Sequence, residues 1–143
     1  MVDNRTSITD IDINSVLLFN IDSLAFENSA IHFLRNTHTL PKFNRFFFID
    51  SGNMIVRGNH AHKLATQAFI VVKGEVVIVV HDGVRENRYQ LSVGNECVVI
   101  PPGIWSRQIF SPDSVLFVLT DVDYSEQEYI REWEEYLQFK GLK

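Results

Sequence analysis

The segment Arg57-Gly58-Asn59-His60-Ala61-His62-Lys63 holds the most chemically loaded run of side chains in the chain. On a β-strand, residues i and i+2 project to one face, so His60 and His62 share a side, ~6.6 Å apart along the strand. Two imidazoles with an ordinary pKa near ~6.5 can serve as metal ligands or as an acid and a base. Small Ala61 between them, and the flanking cations Arg57 and Lys63, set this stretch apart from the apolar strands around it. His32, His38 and His81 fall in loop or strand-edge contexts and are expected at the surface. Cys97, the only cysteine, sits in an apolar run and reads as a small buried hydrophobe, with no partner for an internal disulfide. Glycine-rich phosphate loops, nucleophile elbows and zinc-finger spacings do not occur.

The elements that must hold this pair are short and β-like. Val16–Phe19, Ala30–Leu34, Arg45–Ile49, Ala68–Val72, Val76–Val80, Glu86–Leu91, Cys97–Ile100, Arg107–Phe110 and Val115–Leu119 are apolar, β-branched or aromatic runs. Between them stand Ser51-Gly52-Asn53, Lys73-Gly74-Glu75, Asp82-Gly83, Val93-Gly94-Asn95, Pro101-Pro102-Gly103 and Ser111-Pro112-Asp113. Such regular turn signals predict an all-β sandwich or barrel, with Lys73-Gly74 and Asp82-Gly83 the best hairpin candidates. Near the end the period changes. Tyr129, Ile130, Trp133, Tyr136 and Leu137 follow a helical spacing, and Ser125 with Glu128 forms a capping-box pattern. A helix over Ser125–Phe139 is therefore expected to lie on the barrel, its acidic residues Glu126, Glu132, Glu134 and Glu135 in solvent.

At 143 residues and 16.5 kDa, with 45% apolar and 22% charged residues, the chain suits one globular domain. Its expected organisation is an N-terminal strand region over 1–43, a barrel over 44–120 and a C-terminal helix over 124–139. Thirteen basic against 18 acidic residues give a net charge of −5, which speaks against nucleic acid as a partner. The opening MVDNRTSITDIDIN lacks the basic start and apolar run of a signal peptide, and no run reaches the ~18 apolar residues of a membrane span. A cytoplasmic protein with no membrane partner is expected.

Spacing carries the reading further. His60-Ala61-His62, four residues, Gln67, six residues and Gly74 resemble the first motif of the cupin family. Val93-Gly94 through Ile100-Pro101-Pro102-Gly103-Ile104-Trp105-Ser106 resembles the second. The resemblance implies a cupin jelly roll, the double-stranded β-helix barrel. Metal-binding cupins place two His and a Glu in the first motif and another His in the second. Gln67 and Ser106 occupy two of those four positions here. An amide and a hydroxyl are poor ligands for zinc or iron, so neither a metal nor another cofactor is expected.

A narrower resemblance rests on Arg57-Gly58-x-His60-Ala61-His62-Lys63, Pro101-Pro102-Gly103-Ile104-Trp105 and Tyr129-Ile130-Arg131-Glu132-Trp133-x-x-Tyr136. Together these are similar to the sugar 3,4-ketoisomerase branch of the cupins. That branch implies a metal-free isomerase converting a dTDP-4-keto-6-deoxyhexose to its 3-keto isomer, on the way to unusual bacterial surface or antibiotic sugars. It also implies a homodimer that exchanges N-terminal strands. By resemblance, His62 is the base at C3 and His60 its partner in relaying protons to the enediol oxygens, while the sequence itself leaves open which imidazole does which. Arg57 is then a candidate for the pyrophosphate or the developing oxyanion. Phe48, Gln67, Trp105 and Ser106 are expected to contact substrate, Trp105 by stacking at the pocket mouth. The chain departs from the branch where Arg45-Phe46-Phe47-Phe48-Ile49 replaces a tyrosine-bearing strand and where Ser106 replaces a histidine. Those changes keep two rivals open: a weakened module that holds a nucleotide sugar, and another sugar cupin such as a 3,5-epimerase, for which the Phe46–Phe48 run offers no opposed tyrosine acid.

Overall fold

The structure, a computed structural model, describes residues 7–35, 40–42 and 44–143, which leaves His38 outside the described residues. Its strands are β1 (Leu17–Asn20), β2 (Asp22–Ala25), β3 (Ala30–Phe33), β4 (Arg45–Ser51), β5 (Ile55–His62) and β6 (Gln67–Lys73). They continue with β7 (Glu75–His81), β8 (Glu86–Ser92), β9 (Glu96–Ile100), β10 (Trp105–Phe110), β11 (Ser114–Thr120) and β12 (Tyr129–Ile130). One α-helix follows, α1 (Trp133–Phe139). The strands form two five-stranded antiparallel sheets, ordered β1-β9-β6-β11-β4 and β12-β5-β10-β7-β8, while β2 and β3 pair as a separate hairpin. This is the all-β jelly roll with a C-terminal helix that the sequence implies.

Period-2 alternation decides which side chains meet between the sheets. Phe69 and Val71 of β6, Val76, Ile78 and Val80 of β7, and Leu116 and Val118 of β11 point inward and form the main core with Val98, Ile100 and Phe110. Each such side chain stabilises the fold by roughly 1.5–3 kcal/mol on leaving water. The outer face of the first sheet carries a second apolar layer around Ile21, Ala68, Cys97 and Val99. Cys97 is fully buried there, and burial pushes its thiol up to about 12, which keeps it protonated and unreactive.

Two expectations about local structure are corrected. Asp82-Gly83 does close the β7–β8 hairpin, Asp82 Oδ1 accepting from the amides of Val84 (2.8 Å) and Arg85 (2.7 Å). Lys73-Gly74 does not close a hairpin, because β6 and β7 lie in different sheets. Gly74 takes φ +71° and turns the chain from one layer to the other, where a Cβ would approach Ser114 Cα at 2.9 Å. The turn residues at 51–53, 93–95, 101–103 and 111–113 likewise carry the chain between sheets.

The helix expected over Ser125–Phe139 is confined to Trp133–Phe139. Before it, Glu126–Glu128 make a 3-10 turn, and Tyr129–Ile130 join β5 as an edge strand. Ser125 makes no side-chain cap, and Glu128 turns into the protein instead of closing a capping box. A helix register would have swung Tyr129 and Arg131 apart. With Tyr129 in the strand and Arg131 just past its end, the two lie on one side and line one cavity, while Ile130 is buried on the other beneath α1.

Candidate active site

The site begins with an irregularity in β5. Against β10, Ser106 pairs with His60 and Arg107 with Gly58, so Asn59 is an extra residue, a β-bulge. Gly58 and Asn59 both take positive φ, +84° and +57°. A regular strand puts residues three apart on opposite faces. The bulge restores Arg57 to the face of His60, and both line one cavity. Gly58 is needed for contact as well as for φ: a Cβ there would lie 2.8 Å from Gln108 Oε1 and 3.0 Å from the Ser106 carbonyl oxygen.

His60 and His62 share a face, their rings edge to face with centroids 5.0 Å apart. Their surroundings differ. His60 lines the cavity; burial, with the adjacent His62 ring adding to it, lowers its pKa to about 4, so it is neutral at pH 7. His62 lies behind, its side chain 8% exposed, with Nδ1 2.5 Å from Glu128 Oε2. A carboxylate accepts only, so Nδ1 carries a proton and donates it to Glu128, while Nε2 is buried without a hydrogen-bond partner. Glu128 also accepts from the amides of Leu64 (2.9 Å) and Ala65 (2.7 Å). Burial alone acts to raise its carboxyl, but the His62 bond and the two amide bonds outweigh it, and the pKa falls below the ordinary value.

The cavity encloses about 400 Å³ between the sheets. Phe47 and Ile49 of β4, Phe69 of β6 and Val118 of β11 give it apolar walls, and Gln67 and Gln108 bring amides. Tyr124, Tyr129 and Arg131 close the C-terminal side. The Tyr129 ring touches both imidazoles, at 4.8 Å from His60 and 4.6 Å from His62, and the Arg131 guanidinium lies 4.5 Å over its face. Arg131 is paired with Glu126, whose carboxylate also accepts from the Tyr124 hydroxyl at 2.7 Å. The Arg57 guanidinium makes no hydrogen bond or ion pair among the described residues and is the cavity's uncommitted cation.

Of the residues expected around the substrate, His60, Arg57 and Gln67 line the cavity. Ser106 faces the same interior but is buried, accepting from Gln108 Nε2 at 3.2 Å. Phe48 points the other way. Alternation along β4 sends Phe47 inward and leaves Phe48 64% exposed on the outer face of its sheet. Trp105 is also elsewhere, because its cross-strand partner Ala61 faces outward; its ring packs against Trp133 and Tyr136 beneath α1. Sequence reasoning missed Phe47, Glu128, Tyr129 and Arg131. A Tyr-x-Arg alternation was the available signal, and two residues are too short a strand for a period to show. The four positions where cupins place metal ligands hold two imidazoles, an amide and a hydroxyl already engaged by Gln108. That donor set does not fit a transition metal.

A family model, FdtA: WxcM-like, C-terminal, matches residues 14–141. The chain belongs to the FdtA, WxcM-like C-terminal family. Within reach of this family member is a TDP-4-oxo-6-deoxy-alpha-D-glucose-3,4-oxoisomerase from Aneurinibacillus thermoaerophilus, 26% identical over 95 residues, covering 66% of this chain and 68% of that protein. A 3,4-ketoisomerase from Helicobacter canadensis shares the fold with TM-score 0.81 at 28% identity, over 88% of this chain and 97% of that one. A mutant of the 3,4-ketoisomerase QdtA from Thermoanaerobacterium thermosaccharolyticum, solved in complex with TDP-4-keto-6-deoxyglucose, has TM-score 0.78 at 25% identity. That likeness covers 88% of this chain and 94% of QdtA.

Proposed function

We propose that this FdtA-family protein is a metal-independent nucleotide-sugar 3,4-ketoisomerase. It converts a dTDP-4-keto-6-deoxyhexose into the 3-keto isomer, in the cytoplasm, toward an unusual sugar. The observation that carries this reading is a neutral imidazole, His60, exposed to a mid-sized polar cavity and backed by the His62–Glu128 pair. Moving a ketone from C4 to C3 requires loss of the C3 proton, which the neighbouring carbonyl acidifies, passage through an enediol, and protonation at C4. A positioned base contributes ~10²–10⁴-fold to such a step. His60 is the imidazole that reaches substrate, so it takes the base role, and His62, bonded to Glu128, supports it from behind. This reverses the roles that resemblance alone implies. Arg57 is free to take the substrate's diphosphate as a bidentate partner, and Gln67 and Gln108 supply donors and acceptors for sugar oxygens.

The assembly is a homodimer built on the outer face of the first sheet, with N-terminal strands exchanged. In the single chain β1 completes its own sheet at the edge of β9. The same face exposes Phe48 and Val72 beside an apolar groove of about 410 Å³ lined by Ile21, Leu34, Leu40 and Phe117. Apolar surface of that extent favours a second copy.

Purified protein incubated with dTDP-4-keto-6-deoxyglucose is expected to give the 3-keto isomer by proton NMR, with or without EDTA. Unchanged substrate, recovered from protein that binds it, would leave the site a binding module. Activity lost to EDTA and restored by one divalent ion would overturn metal independence.

A further inference from the structure

The isomerisation has a second proton to move. Besides the hydrogen that leaves C3 and the one that arrives at C4, a proton must leave the C3 oxygen and another reach the C4 oxygen. His60 serves the carbons. The oxygens need a hydroxyl or carboxyl group beside it, and β4 offers none to the cavity: the residues it contributes there are Phe47 and Ile49, and the buried Ser51 hydroxyl lies outside the lining, bonded to the Asn53 carbonyl.

Among the residues lining the cavity, hydroxyls come from Tyr124 and Tyr129 alone. The Tyr124 hydroxyl is committed to Glu126 at 2.7 Å, and the residue is 59% exposed. Ser106 Oγ is engaged by Gln108 and does not line the cavity. Tyr129 differs on each count. Its register against His62 puts it on the face of both imidazoles, in ring contact with each. Its hydroxyl makes no hydrogen bond among the described residues, and it is not among the polar atoms sealed from solvent without a partner. Arg131, stacked on the ring, adds a fixed positive charge beside the place where an oxyanion develops.

We infer that Tyr129 is a further catalytic residue of this site, the acid and base that carries a proton between the two sugar oxygens while His60 carries one between the two carbons. In the first half, His60 takes the C3 hydrogen, the C3–H electron pair becomes the C3=C4 bond, and the C4 oxygen takes the phenolic proton. The result is a neutral enediol, an imidazolium and a phenolate. In the second half, the phenolate takes the proton from the C3 oxygen, C3=O forms, and C4 takes a proton from the imidazolium. Both residues return to their starting states, and no oxidant or reductant is consumed.

This role rests on the ketoisomerase reading, and the test separates the two. Tyr129→Phe keeps the ring against His60 and His62 and removes only the hydroxyl. With dTDP-4-keto-6-deoxyglucose, kcat is expected to fall by at least ~10²-fold while KM and dTDP affinity stay within about threefold of wild type. Placing 3-fluorotyrosine at position 129, which restores a hydroxyl, is expected to recover turnover to within about tenfold of wild type. An unchanged kcat, a loss confined to KM and dTDP affinity, or a failure of the fluorotyrosine enzyme to recover would each overturn the role while wild type stays active. A wild-type protein that makes no isomer overturns the ketoisomerase reading, and this role with it.

Discussion

His60 and His62 are chemically alike in the sequence and unlike in the structure. The difference comes from what each ring touches. His60 faces the cavity and is neutral down to about pH 4, so a free-enzyme kcat/KM profile should keep its acid limb near that value. An acid limb near 6.5, the ordinary imidazole value, would show that a differently placed group is the base. Glu128 acts through His62 by holding the proton on Nδ1. Glu128→Gln keeps the shape and loses the charge, and its amide can present a donor to the ring, so the tautomer is no longer fixed. The expected result is a kcat lower by ~10-fold or more with KM near wild type, since second-layer partners of a working histidine are worth about that much. Equal kcat in the two proteins would reduce Glu128 to a structural role. The His pair was legible because His-x-His needs only strand alternation. Glu128 was not, because its partner is 66 residues away and its local pattern, Ser125 to Glu128, imitates a helix cap.

At the scale of elements, the β5 bulge is what turns a motif into a site. Gly58 sits at φ +84° with Gln108 and the β10 backbone closing on its Cα hydrogens, whereas Asn59 at +57° belongs to a residue type that tolerates the left-handed region. Gly58→Ala incurs the left-handed penalty of ~1–2 kcal/mol and must also displace the Gln108 side chain and the β10 backbone. A melting temperature lower by roughly 5 °C, with activity lost alongside, is expected. Asn59→Gly, which relieves φ without adding a clash, should leave the melting temperature within about 2 °C. Similar losses at the two positions would mean that the bulge is not held by Gly58. Turn residues foretold where strands end but not which sheet receives the next strand. Gly74 and Gly83 look equivalent in sequence, and only long-range pairing makes one a crossover and the other a hairpin. Phe47 and Phe48 show the same limit: a run of three phenylalanines has no alternation to reveal which ring faces inward.

For the whole molecule, acid and assembly are the informative conditions. His60 has a folded pKa lowered from 6.5 to about 4, so below 6.5 the unfolded chain takes up the proton that the folded one refuses. Stability is therefore fully present above pH 6.5 and declines as pH falls toward 4, by an amount on the order of 3 kcal/mol. Glu128, also lowered, adds a loss once the pH drops through the carboxyl range. Chemical denaturation at a series of pH values should show that slope, and His60→Asn should flatten its upper part. A wild-type curve that is flat from 6.5 to 4 would refute the burial of His60. In assembly, light scattering should give about twice the 16.5 kDa chain mass, and Phe48→Glu, which puts a charge on the outer face, should return it to one chain. A monomeric wild type would contradict the dimer.

The central claim is that His60 moves the carbon-bound proton. Deuterium incorporation from heavy water into dTDP-4-keto-6-deoxyglucose tests it at the atoms concerned, read by proton NMR at C3 of remaining substrate and C4 of product. Wild-type protein should place deuterium at both carbons, because the His60 imidazolium exchanges its proton with heavy water before returning it. His60→Asn should slow incorporation at both by at least ~10²-fold while still binding dTDP, and His62→Asn should retain more of it. Exchange at C3 that survives His60→Asn at the wild-type rate and vanishes with His62→Asn would contradict the account.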